Sequence, residues 1–175
     1  MQLSLDLLRR QKVVLGSVPA VPRHAPMTVD LETGAYWQTE VGGAALGWAV
    51  PEEPGEPLER VPTDWTFPAG VLEGIARLAP FWEHVAETLT QDNVNLNAGQ
   101  YTCTPDNKPI IGPCADVPGL YLSLGYSGHG IMASPGAGRL LADLIGAPHA
   151  DAENPFSYQR FATEDAGVRA ERIVI

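Results

Sequence analysis

Short runs of apolar residues, alternating with polar ones, make up the first third of the chain. They cover residues 12–18, 27–30, 35–39 and 44–50, and turn-forming glycines and prolines separate them. Alternation with a period of two is typical of half-buried strands. The pattern therefore predicts an antiparallel meander at the start of the chain.

The middle of the chain changes first to a proline-rich segment and then to helical spacing. Five prolines lie within residues 51–68, and they predict a surface loop. Between Val71 and Leu89 the apolar residues recur at steps of three and four. This spacing predicts two helices with a break at Pro80. We expect the aromatic residues of this stretch to lie in the core.

The last part of the chain returns to strands and ends in one long helix. Residues 94–104 and 119–124 predict strands, and residues 132–145 predict a helix that Gly146 and Pro148 terminate. Pro135 is expected near the first turn of this helix, where a missing N–H costs little. Together the elements predict an α+β fold, a largely antiparallel or mixed sheet with helices on one face. We expect a single domain over residues 1–175.

The composition excludes several classes of partner. A net charge of −10 with only 11 Lys and Arg argues against nucleic acid, because neutralising phosphates requires clustered cations. No apolar run approaches the roughly 18 residues of a membrane span, and no signal peptide is evident. The spacing of Cys103 and Cys114 and the scattered histidines indicate no metal site. We therefore expect a cytoplasmic protein without metal, nucleic-acid or membrane partners.

The most specific chemistry lies between residues 120 and 146. An apolar run leads into the turn Gly125-Tyr126-Ser127-Gly128-His129-Gly130, and an amphipathic helix follows. The glycines of this turn allow the backbone to approach a flat ligand where a Cβ would collide. The free N–H groups that open the helix carry partial positive charge. This arrangement predicts a site for a planar, electron-rich group.

Two general motifs match this turn only in part. A nucleophile elbow requires Gly-x-Ser-x-Gly, but His129 stands where the last glycine belongs. A dinucleotide fingerprint, Gly-x-Gly-x-x-Ala, is matched by Gly128, Gly130 and Ala133. That fingerprint requires a βαβ unit with an acidic residue about 20 positions later. A polar loop follows the helix instead, so neither interpretation holds.

The chain as a whole resembles a known family. The turn is similar to the C-terminal flavin-contacting motif of the FAD-dependent D-amino-acid, glycine and sarcosine oxidases. Further segments resemble that family in the same order along the chain, namely Arg10–Val14, Ala35-Tyr36-Trp37, Glu40–Gly43, Leu46-Gly47, Thr104-Pro105-Asp106 to Gly112-Pro113, Pro118–Tyr121 and Pro155 to Arg160-Phe161. The resemblance implies the α+β substrate domain of these flavoenzymes.

The resemblance also implies FAD as the cofactor and a small amine or amino acid as the substrate. Hydride would pass from the carbon beside a secondary or tertiary amine to the flavin. The residues implied to contact the flavin are Gly125, Ser127, Gly128, His129, Gly130, Ile131 and Met132. Tyr36, Tyr101 and Tyr126 are implied to line the substrate side. No residue stands out as a general base, which suits a family in which the cofactor carries the chemistry.

Three positions depart from the family's oxidases. Tyr101 stands where glycine-oxidase-like relatives have an arginine for the substrate carboxylate, so such recognition would have to come from elsewhere. Gly99 stands at the flavin-tethering cysteine of sarcosine oxidases, and Met132 at their oxygen-activating lysine. These departures favour the sarcosine and dimethylglycine dehydrogenase-like branches, or lost activity.

The phosphate-binding Gly-x-Gly-x-x-Gly loop of the family is absent from residues 1–100. We therefore expect the chain to be inactive alone and to retain FAD weakly or not at all. Either a partner chain supplies the dinucleotide domain or the chain forms a homodimer, and a short gene product and a fragment both remain open. The alternative is a truncated, non-catalytic relative that serves as a subunit or interaction module. We expect an exposed apolar surface for the partner, formed by Val94, Leu96, Ile110, Ile111 and Ile131.

Overall fold

The computed structural model describes residue 3 and residues 5–161. These residues form two compact units. We call residues 9–100 the sheet unit, and residue 3 with residues 5–8 and 101–161 the turn unit. The expectation of a single domain stays a prediction.

Five strands form one sheet in the order β2-β3-β4-β1-β5. They are β1 Asp6–Leu15, β2 Thr28–Val29, β3 Tyr36–Glu40, β4 Gly43–Gly47 and β5 Val94–Cys103. The pairs β2–β3, β3–β4 and β4–β1 are antiparallel. Gly42, with φ of 79°, lies in the turn between β3 and β4, a conformation that suits glycine. The predicted meander is confirmed for β2, β3 and β4, whereas β1 pairs with β4 and not with β2.

Two helices cover the core of the sheet unit. They are α1 Phe67–Ala76 and α2 Phe81–Thr88, and Pro80 is the N-cap of α2, as the predicted break requires. The ring of Trp37 on β3 lies 5.6 Å from both Phe81 and Trp82, in edge-to-face contacts. Trp82 is fully buried. The aromatic residues of this stretch therefore belong to the core, as predicted.

The turn unit contains a two-stranded sheet and the longest helix of the described residues. The strands β6 Ile110–Pro113 and β7 Tyr121–Leu124 are antiparallel, and α3 Gly130–Gly146 packs over both. Two 3₁₀ helices follow, Pro148–Glu153 and Tyr158–Phe161. The α+β fold class is confirmed. Among the described residues, no helix is long and apolar enough to cross a membrane.

Pro135 lies deeper in α3 than expected. It follows Gly130 by five residues, in the second helical turn, where its ring removes the amide that would donate to the Ile131 carbonyl. The Ser134 hydroxyl donates to that carbonyl instead, at 2.8 Å. The expected position was wrong, and the helix continues because a side chain replaces the missing donor.

The expected apolar surface is largely wrong. Ile110 and Ile111 are 1% and 2% exposed, because β6 is covered by other elements of the turn unit. Val94 and Leu96 are partly buried against the core of the sheet unit. Only Ile131 of the five is exposed, at 89%.

Candidate functional site

The turn between β7 and α3 has an unusual backbone. Gly125, Ser127 and Gly128 have φ angles of 73°, 50° and 96°, a region that residues with a Cβ rarely adopt. Two hydrogen bonds hold this path: the Ser127 N–H donates to the Thr102 carbonyl at 3.2 Å, and the His129 N–H donates to the Tyr126 carbonyl at 2.8 Å. Positive φ angles of this kind occur at ligand-binding turns, where the surrounding structure maintains them.

Ser127 points into the protein interior. The residue is 1% exposed, and its hydroxyl has no hydrogen-bond partner among the described residues. Its side chain is therefore shielded from any ligand at the surface. A contact between this residue and a ligand would have to use the main chain.

The start of α3 presents backbone donors and exposed apolar side chains. His129 is the N-cap and its side chain makes no capping hydrogen bond, while the Ala133 N–H donates to the His129 carbonyl at 2.9 Å. The amides of residues 130–132 precede this bond and lack helical acceptors. Ile131 and Met132 are 89% and 68% exposed. Free donors beside apolar groups suit a flat ring with a polar edge, such as the flavin that the resemblance implies.

Gly130 is not required by the packing of this chain. A Cβ at this position would lie 3.5 Å from the Tyr126 Cβ, an ordinary contact, and its φ angle is not positive. Gly125 differs, because a Cβ there would approach Thr104 Cγ2 to 2.7 Å. The absence of a side chain at Gly130 therefore leaves space on the outer side of the turn.

Asp106 organises the loop that precedes β6. Its carboxylate accepts hydrogen bonds from the Lys108 N–H at 3.1 Å and from the Thr104 hydroxyl at 2.9 Å. The turn Pro105-Asp106-Asn107 predicts that the Asp106 side chain caps local backbone N–H groups, and the hydrogen bond from the Lys108 N–H confirms this. Sequence reasoning missed Arg160, which donates to both carboxylate oxygens from 54 positions away. No local spacing links the two residues.

The ionisation of Asp106 follows from these contacts. Burial raises the pKa of the carboxyl, whereas the hydrogen bonds from Arg160, Lys108 and Thr104 and the guanidinium charge lower it. The lowering effects are larger in total, so the pKa lies below its ordinary value. Asp106 is a structural anion that is only 2% exposed.

A cavity of about 590 Å³ extends from the turn along one side of α3. Its volume lies within the range of roughly 300–1,000 Å³ of ligand pockets. The residues that line it come from the 107–111 segment, the turn, α3 and residues 155–161, which we call the closing segment. They are Asn107, Lys108, Pro109, Ile111, Tyr126, His129, Met132, Ala133, Gly136, Ala137, Leu140, Pro155 and Phe156. Three of the predicted flavin- and substrate-contacting residues, Tyr126, His129 and Met132, thus meet at one cavity.

The three tyrosines predicted for the substrate side are in different places. Tyr126 lines the cavity and shares a 2.7 Å hydrogen bond with the Ser123 hydroxyl. Tyr101 is half-buried at the end of β5 and is not among the residues lining the cavity. Tyr36 belongs to the sheet unit, where its ring covers Gly47. Their role in substrate binding stays a prediction.

Comparison with known proteins yields a family match and longer relatives. The family model described as DAO, FAD dependent oxidoreductase, matches residues 3–144. The bovine (Bos taurus) FAD-dependent oxidoreductase domain-containing protein 1 is 31% identical over 87% of this chain and 32% of its own length. The rat (Rattus norvegicus) mitochondrial dimethylglycine dehydrogenase is 29% identical over 79% of this chain and 17% of its own length.

The fold is similar to that of solved flavoenzymes. The crystal structure of L-proline dehydrogenase from P. horikoshii superposes with a TM-score of 0.67 at 24% identity. The match covers 93% of this chain and 41% of that structure. The chain therefore spans less than half the length of each of these three relatives.

Proposed function

Because the chain belongs to the DAO family of FAD-dependent oxidoreductases, we propose that it forms the substrate-side and flavin-contacting part of an amine or amino-acid oxidoreductase. FAD is the cofactor of this family. The observation that carries the proposal is the turn of residues 125–130, where positive φ angles and free helix-start amides meet exposed apolar side chains.

The main chain of the turn would hold the polar edge of the flavin ring. The amides of residues 130–132 carry the partial positive charge of a helix N-terminus, which stabilises negative charge on a bound ring. Ile131 and Met132 would exclude water beside it. When bound, FAD supplies the hydride acceptor, and the protein contributes binding, orientation and electrostatics.

We propose a secondary or tertiary amine as the substrate, in the sarcosine or dimethylglycine-like branch. The rat relative is named for dimethylglycine, a tertiary amine. Met132 stands where sarcosine oxidases have a lysine, and a thioether carries no ionisable proton that could take part in oxygen activation. The first point favours an amine substrate, and the second favours a dehydrogenase over an oxidase.

A dinucleotide-binding unit is needed to complete the FAD site. Residues 1–100 contain no Gly-x-Gly-x-x-Gly phosphate loop, so the contacts to pyrophosphate and adenosine would come from another polypeptide segment. We propose that this unit is supplied by a partner chain, with a homodimer as the alternative. The chain alone would then be inactive and would retain little FAD.

A flavin titration followed by amide NMR tests the proposal. Riboflavin and FAD should shift the amides of residues 128–132 to a similar extent and with similar weak affinities, because only the ring is contacted. Gly130→Ala should weaken the binding of both riboflavin and FAD, since its methyl group occupies the outer side of the turn. Gly138→Ala is the matched control, because a Cβ at this α3 glycine also meets no close contact and the residue lies outside the turn.

Two results would contradict the proposal. Much tighter binding of FAD than of riboflavin would reveal a phosphate site within this chain. Shifts that avoid residues 128–132, or equal effects of the two alanine variants, would favour the non-catalytic subunit instead.

A further inference from the structure

The cavity beside α3 has a charge pattern that the flavin-contacting role leaves unexplained. Lys108 and His129 line it, and none of the lining residues is acidic. Among the described residues, no carboxylate lies within ion-pair distance of the Lys108 ammonium, and the His129 ring makes no hydrogen bond. A positively charged group is therefore available at the cavity wall.

Two acids of the turn unit, Asp106 and Asp151, have hydrogen-bond partners other than the Lys108 ammonium. Asp106 is held by Arg160, with 2.9 Å between Oδ2 and Nε. Asp151 accepts hydrogen bonds from the Asn154 amide and the Ser157 hydroxyl, both at 2.8 Å. Lys108 thus lines the cavity as a cation, with no acidic residue in the lining, in a chain whose net charge is −10. A cation at the wall of a cavity favours an anionic group in a ligand.

The rest of the cavity is apolar. Met132, Ala133, Ala137 and Leu140 share one face of α3, at helical spacing, and Phe156 lines the cavity from the closing segment. Gly136 lies on this face too, and no atom approaches within 4 Å of the position its Cβ would occupy. An apolar wall with charged groups at its edge fits a ligand with an apolar body and a charged head.

We propose that this cavity binds an organic carboxylate with an apolar body, whose head group pairs with Lys108 near the start of α3. The amides of residues 130–132 add partial positive charge at the same end. The aliphatic or aromatic body would lie along Ala133, Gly136 and Leu140. This site includes Tyr126, His129 and Met132 of the predicted flavin- and substrate-contacting residues, and it extends beyond them along the side of α3.

Binding of octanoate, measured by calorimetry on the chain without FAD, tests the site. Octanoate should bind and octylamine should not, because the two share an apolar body and differ in the sign of the head group. Lys108→Met should weaken octanoate binding by about tenfold, the scale of one lost hydrogen bond between charged groups. Arg139→Met is the matched control, since Arg139 is an exposed cation of α3 outside the cavity lining.

A second pair of variants tests the cavity itself. Gly136→Phe should fill it and abolish octanoate binding, whereas Gly138→Phe places the same side chain in open space on α3, outside the lining. Thermal unfolding should show that both variants are folded, and Ala133→Leu replaces Gly136→Phe if the latter is not.

Three results would overturn the inference. They are equal binding of octanoate and octylamine, equal loss of octanoate binding in Gly136→Phe and Gly138→Phe, and displacement of octanoate by riboflavin. The last result would assign the cavity to the flavin, and it leaves the proposed function intact. Failure of octanoate to bind while riboflavin still shifts the turn would likewise remove this site alone.

Discussion

Arg160 donates from Nε to Oδ2 of Asp106 at 2.9 Å and from Nη2 to Oδ1 at 3.1 Å. The same guanidinium donates to the carbonyls of Lys108, Phe156 and Ser157, at 2.8, 3.0 and 3.1 Å. One side chain therefore ties the closing segment to the loop that precedes β6. Both of these segments form walls of the cavity, so the ion pair helps to maintain its shape.

Loss of Arg160 should destabilise the turn unit strongly. Arg160→Met leaves the buried Asp106 carboxylate without its cation, and breaking a buried pair costs about 3–5 kcal/mol. It also removes the guanidinium donor from three carbonyls, which keep the Thr104 hydroxyl and backbone N–H groups as donors. The measurement is the free energy of urea unfolding. Arg77→Met is the control: the Arg77–Glu32 pair is exposed, so its loss should cost about 1 kcal/mol or less. Equal effects of the two variants would contradict a structural role for Arg160.

Asp106 should make stability depend on pH in the acid range. Its pKa is lower in the folded protein than the value of about 3.9 expected when unfolded, so the unfolded chain binds the proton more readily. The ionised Asp106 side chain therefore stabilises the folded protein fully at pH values above its pKa in the unfolded chain. This stabilisation is lost as the pH falls through its pKa in the folded protein. Urea unfolding between about pH 5 and pH 2 should show this loss. Asp106→Asn should be less stable near neutral pH, and its free energy of unfolding should depend less steeply on pH. If the slope of this dependence is unchanged, Asp106 is not its source.

The sequence predicted features that depend on neighbouring residues. The meander follows from alternation within residues 27–50, the break between α1 and α2 follows from Pro80, and the local capping by Asp106 follows from its turn. Each depends on short-range sterics or on residues a few positions apart. The turn between β7 and α3 is predictable for the same reason, because its glycines are adjacent to the start of the helix.

Features that depend on distant segments could not be predicted in this way. Ile110 and Ile111 were predicted to be exposed, because nothing in the sequence of β6 shows that other elements of the turn unit cover both faces of this strand. Arg160 lies 54 positions from Asp106, and no periodicity relates them. Lys108 is a candidate only because α3 and the closing segment lie beside it. The inward direction of the Ser127 side chain follows from a positive φ angle, which residue type alone does not indicate.

Two glycines of the turn should respond differently to alanine. Gly125→Ala places a Cβ 2.7 Å from Thr104 Cγ2 at a φ of 73°, so we expect a loss of about 1–3 kcal/mol from this strain. Gly130→Ala adds a methyl group at the start of a helix, in ordinary contact 3.5 Å from the Tyr126 Cβ, so stability should stay the same or rise by up to about 1 kcal/mol. Urea unfolding of both variants measures the difference. A large loss in Gly130→Ala would mean that this position is strained after all.

Removing the Ser127 hydroxyl should not destabilise the chain. The group is buried and has no partner among the described residues, so Ser127→Ala loses no hydrogen bond and removes a desolvated polar atom. Ser127→Gly should be more stable than Ser127→Ala, because glycine accepts a φ of 50° without steric conflict. Thermal unfolding ranks the three proteins. A clear loss in Ser127→Ala would indicate that a buried water or another group binds the hydroxyl.

The hydroxyl of Ser134 should matter only while Pro135 is present. Pro135 removes the amide donor of the Ile131 carbonyl, and Ser134 Oγ supplies a replacement at 2.8 Å. Ser134→Ala should therefore cost about 0.5–1.5 kcal/mol, the net value of one hydrogen bond. In a Pro135→Ala background the amide returns and donates to the same carbonyl, so the same change should cost close to nothing. A double-mutant cycle from urea unfolding measures this coupling. Additive effects would show that the hydroxyl does not replace the amide.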